Sequence, residues 1–149
     1  MPFYMIKRSD NGVIIMQTAA DDIAPEDCVA KWAPDQQALV VSIHPIELAD
    51  IPTDRYFRNA WKPKGDDAVE VDMPRARDIH RDVLRRMRAP LFESADVDYV
   101  KADEAGDEPA KQAVREYKQE LRDVPQDPRI DAAQTPEELK AVIPDVLKT

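Results

Sequence analysis

At 149 residues, with 43% hydrophobic and 34% charged side chains, the chain can build one modest core, and with only 6% aromatics that core is aliphatic. The 21 basic and 30 acidic side chains give a net charge of −9, which as a whole repels nucleic acid and anionic membrane. One cysteine, two histidines and three glycines exclude an internal disulfide, a Cys-only or His-rich metal site and glycine-rich nucleotide loops, so neither metal nor cofactor is expected.

The texture changes near Asp72. Residues 1–72 carry 7 basic and 13 acidic side chains, and residues 73–149 carry 14 and 17. The first part opens on the β-forming run Phe3–Lys7. Ser9-Asp10-Asn11-Gly12 follows, with an Asn-Gly pair to supply positive φ angles at a tight turn, and Val13–Gln17 returns as the second strand. A short helix is expected over 21–32, with Pro25 early and acidic residues in its first turn, closed by Pro34. Ala38–Ile43 reads as a strand buried on both faces. Strand character recurs at Tyr56–Trp61, and 63–67 can turn the chain into Val69–Val71 as a second hairpin.

The second part is helical. Asp72 and Pro74 mark a helix start, and Ala76, Ile79, Val83, Met87, Leu91, Ala95, Tyr99 and Ala102 recur every three or four residues. The stripe keeps phase through Pro90, so one long helix over 74–104, kinked at Pro90, is expected. Gly106-Asp107 ends it. A second helix from Glu108-Pro109 places Ala110, Ala113 or Val114, Tyr117 and Leu121 on its apolar face, and the short link implies an antiparallel hairpin. Val124–Pro128 ends that helix, and Thr135-Pro136-Glu137-Glu138 is a capping box for a last one over about 136–142. The fold class is therefore α+β: a small β-rich subdomain over 1–72, then a helical hairpin with a short C-terminal helix over 73–149.

The conspicuous cluster is Arg75, Arg77, Arg81, Arg85, Arg86 and Arg88, in the half of the long helix where the dipole disfavours cations. Glu93, Asp96, Asp98, Asp103 and Glu104 occupy the half that disfavours anions. Three readings follow: a solvated face with local Asp78 and Asp82 pairs, self-association or docking on a charged partner, and phosphate or nucleic-acid binding. The interleaved aspartates and the lack of an aromatic platform weigh against the last. His80 sits at the edge of the apolar stripe as a partly buried, hydrogen-bonded residue, and a catalytic role would require it to converge with Asp82 and Glu93. His44 has no metal-ligating neighbour, and Cys28 is expected to be a small core residue. Tyr56, Phe57 and Trp61 form either an exposed docking patch or a plug between the two parts. No nucleophile with a base is apparent, and no enzymatic activity is expected. No run is long enough to span a bilayer and no signal-like apolar stretch opens the chain, so a soluble cytoplasmic or particle-associated protein is expected.

The helical part also carries a resemblance. Arg77-x-x-x-Arg81-Asp82-x-Leu84, an acidic residue about a turn beyond Pro90, and Tyr117-Lys118-Gln119-Glu120-Leu121-Arg122-Asp123-Val124-Pro125-Gln126 resemble the C-terminal region of bacteriophage tail assembly chaperone and tail-fibre-associated proteins. The likeness covers roughly residues 56–143, and Lys118 stands where the family has arginine. It implies a phage morphogenesis protein, in the virion or in the host cytoplasm during assembly, that binds tail, tail-fibre or capsid proteins and can bind its own copies. Arg77, Arg81, Arg85, Arg122 and Asp123 would make polar contacts, and Tyr117 and Leu121 the helix seam. A multi-copy decoration or connector protein is the alternative, and a DNA-binding regulator using Arg75–Arg88 is the alternative of another class.

Overall fold

A computed structural model describes residues 1–148. The protein is α+β and divides into two compact units, Met1–Asp72 and Met73–Thr149.

In the first unit β1 (Phe3–Arg8) is the central strand of an antiparallel sheet, flanked by β2 (Val13–Gln17) and β3 (Val40–Ile46). Met5 and Ile6 point to opposite faces and both are fully buried, so it is β1 that is covered on two sides. The expectation for 38–43 is overturned. β3 starts two residues later, lies at an edge, and leaves Val41 exposed. The first turn also differs from the expected one. It is a three-residue loop in which only Asn11 is left-handed (φ 62°), closed by Arg8 N–H to the Gly12 carbonyl at 3.0 Å. A Cβ at Gly12 would lie 2.9 Å from Asp10 Oδ1, so a larger residue there would make the Asp10 side chain turn away.

The helix expected over 21–32 is shorter, α1 (Pro25–Val29), and a second one, α2 (Pro34–Gln37), begins at the proline expected to close it. Ala33 precedes a proline and is driven to extended backbone (ψ 143°), so the chain breaks and Pro34 starts afresh at the first helical position. Cys28 in α1 is half-buried instead of a core residue. The run 56–61 is not a strand: residues 58–60 form a 3₁₀ turn, and β4 begins at Trp61. β4 (Trp61–Lys64) pairs with β5 (Ala68–Val71) around Gly65 (φ 63°). Pro63 is tolerated because a two-stranded ribbon leaves an edge that needs no donor. Trp61 and Val69 pack with Met5 and Ile46, and Phe57 is buried, so two of the three aromatics are unavailable as an exposed docking patch.

The second unit starts with α3 (Met73–Glu104), a continuous helix of 32 residues that runs through Pro90. Arg86, whose carbonyl loses its donor to the proline, and Pro90 itself are both exposed, so water can serve that carbonyl. Its buried residues are Ala76, His80, Leu84, Ala95 and Ala102. Ala76, Ala95 and Ala102 of the expected stripe are buried, but between them the buried face shifts by one residue to His80 and Leu84: Ile79 and Val83 are half-buried and Met87 is exposed. Gly106 (φ 65°) ends α3 with the paired bonds Asp107 N to Ala102 O (2.9 Å) and Gly106 N to Asp103 O (3.0 Å). Asp107 then caps α4 (Glu108–Asp123) by accepting from Ala110 N at 3.0 Å. Beyond a 3₁₀ turn at 124–126 lie α5 (Pro128–Ala132), which the sequence pattern does not announce, and α6 (Pro136–Lys140), capped by Thr135. Leu84, Leu121, Ile130 and Leu139 are fully buried in this unit.

Candidate functional site

The charge order of α3 organises the helical unit. Antiparallel packing sets its basic half beside the C-terminal end of α4, where carbonyls lack intrahelical donors and the dipole is negative. Arg88 Nη1 donates to the carbonyls of Leu121 (2.8 Å) and Arg122 (3.0 Å), and its guanidinium lies 5.5 Å from the centre of the Phe92 ring. Arg81 Nε reaches the Pro125 carbonyl at 3.3 Å, while Nη2 binds Asp131 at 2.5 Å and Nη1 binds Asp78 at 3.4 Å. Arg77 Nη2 donates to the Ala133 carbonyl at the end of α5 (3.0 Å), and its buried Nε has no partner. One turn on, the fully buried His80 has Nε2 at 2.7 Å from the Val142 carbonyl. A carbonyl can only accept, so Nε2 carries the proton.

The acidic half of α3 is met by the basic side of α4. Lys118 pairs with Asp96, and Lys111 Nζ sits 2.8 Å from Asp103 and 3.3 Å from Glu108. Arg115 binds Glu108 at 3.0 Å and donates to Tyr99 Oη at 3.2 Å. All three cations lie 5.6–5.7 Å from the centre of the Tyr99 ring, whose face attracts them. The Lys111 hydrogen bond and charge hold Asp103 below its ordinary pKa, and bonds from Arg115 and then Lys111 do the same to Glu108. Conversely, the bond to Asp103 raises Lys111, and bonds to Glu108 and Tyr99 raise Arg115.

The anticipated contact residues fall into two groups. Arg77 and Arg81 are half-buried and bonded within the unit, Leu121 is fully buried and Tyr117 half-buried. Arg85, Arg122 and Asp123 are exposed. Arg85 pairs with Asp82 at 2.6 Å, and Gln119 bridges Asp123 (3.0 Å) and Arg122 (3.5 Å). Asp123 also lines an open hollow of about 530 Å³ with Glu120, Asp127, Pro144 and Asp145. The internal clamp residue that the sequence pattern hides is Arg88. Its only signal is the four-residue row Ala76, His80, Leu84, Arg88, which a search for apolar residues skips.

His80 does not converge with Asp82 and Glu93, since it is buried and both carboxylates are exposed. The six arginines do not form one exposed face, because Arg77, Arg81 and Arg88 turn to carbonyls of their own unit. Among the described residues no group of His, Cys, Asp and Glu is arranged to hold a metal ion, and no helix is long and apolar enough to cross a membrane. Comparison with protein-family models, curated proteins and solved structures finds no match to this chain.

Proposed function

We propose that this protein is a bacteriophage morphogenesis protein that binds tail, tail-fibre or other virion proteins, as a tail assembly chaperone or a minor tail component. The observation that carries the reading is the meeting of the two segments on which the resemblance rests. Arg81 of the first reaches the Pro125 carbonyl of the second, and Leu84 and Leu121 are both fully buried. In this reading Arg77, Arg81, Tyr117 and Leu121 hold the scaffold. Arg85, Arg122 and Asp123 are exposed and meet the partner.

The test is co-expression of the tagged protein with the tail, tail-fibre and capsid proteins of a phage that encodes it, followed by co-purification and mass spectrometry of purified particles. Co-purification with a tail or tail-fibre protein, reduced by Arg122→Glu with Asp123→Arg, supports the proposal. Many copies retained in the particle would replace the chaperone role by a structural one, decoration or connector. Absence from particles, no capture of any virion protein and normal particle yield after deletion would end the proposal.

A further inference from the structure

We propose that the outer face of α3 pairs, antiparallel, with the same face of a second copy of this chain. At about 100° per residue, Arg75, Asp82, Arg86, Glu93, Val97, Val100 and Glu104 fall within about 60° of one another, opposite the buried row of His80, Leu84, Ala95 and Ala102. All seven are exposed, Val97 at 52% and Val100 at 55%. Of the charges on this face, Asp82 is paired internally, with Arg85 at 2.6 Å, and the others are not. Among the described residues Arg75, Glu93 and Glu104 make no ion pair. Arg86 bonds only the Asp82 carbonyl, at a long 3.4 Å.

The order of these unspent charges along the helix is basic, basic, acidic, acidic, and their spacing is symmetric. Arg86 and Glu93 are equidistant from the midpoint between Ala89 and Pro90, roughly 5 Å along the axis, and Arg75 and Glu104 are equidistant at roughly 22 Å. A two-fold axis through that midpoint therefore sets each arginine against a glutamate of the second copy, four pairs in all. At the crossing point stand Ala89 and Pro90, both exposed and small, which allows the 8–10 Å approach typical of packed helices. Val97 and Val100 then lose solvent beside the inner pairs. A parallel arrangement would oppose arginine to arginine and glutamate to glutamate, so the pattern specifies orientation as well as partner. Because the pairs are solvent-rimmed, the association is weak and sensitive to salt. The inference is independent of which virion protein the chain binds.

Sedimentation equilibrium on the full chain with Cys28→Ser tests it. A monomer–dimer equilibrium is expected that weakens at least about tenfold between about 0.05 and 0.5 M salt. The variant Arg75→Glu with Arg86→Glu, and the variant Glu93→Arg with Glu104→Arg, should each be monomeric alone and form a heterodimer when mixed. Arg86→Glu combined with Glu93→Arg in one chain should retain self-association. Oxidation should link Ala89→Cys chains through a disulfide and leave Glu104→Cys chains unlinked, with far-UV circular dichroism confirming an unchanged fold in every variant. A monomer at about 0.5 mM and low salt, no heterodimer on mixing, or equal linkage at positions 89 and 104 would overturn the proposal.

Discussion

Arg86 and Arg88 are two residues apart on one helix, yet they should behave oppositely on truncation. Arg88→Ala removes two charge-assisted hydrogen bonds to the last carbonyls of α4 and a guanidinium stacked on Phe92. A bond from a charged donor contributes about 1.5–3 kcal/mol when its acceptor is sheltered. The Leu121 bond is partly buried and the Arg122 bond is exposed, so the pair is worth about 2 kcal/mol, with the ring contact adding ~0.5 kcal/mol. Alanine returns ~0.2 kcal/mol of helix propensity, leaving a loss of about 2 kcal/mol. Arg86→Ala has the same propensity gain and only its long backbone bond to lose, and should stay within ~0.5 kcal/mol of the parent. Urea unfolding followed at 222 nm reads the difference, at dilute protein so that association does not contribute. Arg88→Ala should lower the midpoint at constant slope and reduce Tm by about 4–8 °C. Arg88→Lys should fall between, since a point charge cannot reproduce the planar fork. Equal midpoints for Arg86→Ala and Arg88→Ala would refute the claim that Arg88 closes the end of α4.

Leu121→Ala, at a fully buried position, should cost about 2–5 kcal/mol by thermal or urea unfolding, and Leu121→Asp should abolish the hairpin by burying a charge; full helicity and an unchanged Tm in the aspartate variant would defeat the packing described. Thr135 Oγ1 accepts from Glu138 N at 3.1 Å, so Thr135→Ala should lose about 1 kcal/mol, whereas Thr135→Ser should lose little in the same melts. Lys111→Met should move the Asp103 and Glu108 carboxyl titrations upward, Asp103 the more because Arg115 still serves Glu108, and carboxyl-detected NMR reads both directly. In the parent protein these carboxylates titrate lower when folded than when unfolded. Their contribution to stability is therefore fully present above the ordinary carboxylate range and is lost as pH falls through the lowered folded values. A Lys111→Met variant with the parent's acid-unfolding profile would contradict this.

Elements with local causes were readable from the residues. Asn11 and Gly65 mark the two hairpins, Gly106 and Asp107 stop one helix and start the next, and Thr135 with Glu138 caps α6. Non-local choices were not readable. Ala38–Ile43 is apolar nearly throughout, yet Phe3–Arg8 is the strand that pairs on both sides and holds the centre of the sheet, and periodicity carries no information on pairing order. The middle of the buried face of α3 escaped because His80 within it is polar, as is half-buried Arg88 two turns further along the same row. The same reason hid the inward turn of Arg77 and Arg81. Two of their four acceptors are backbone carbonyls, 44 and 56 residues away, and a carbonyl has no residue identity to read. Charge segregation along α3 was plain in the sequence. Which charges were already satisfied was not.

That segregation opposes the dipole of α3 itself. The terminal turns of α4 follow its own dipole, with Glu108 in the first and Arg122 in the last, and Lys111, Arg115 and Lys118 lie between them. When the helices lie antiparallel, the arginines of α3 face the negative end of α4, and Lys111 and Lys118 face the acidic half of α3. The long helix is thus charged for its neighbour and not for itself, which favours the antiparallel hairpin over a parallel packing of the same apolar faces. The outer face of α3 carries the same reversed order. Among the described residues its Arg75, Arg86, Glu93 and Glu104 have no oppositely charged partner, and under the proposed pairing an antiparallel copy of α3 supplies one for each.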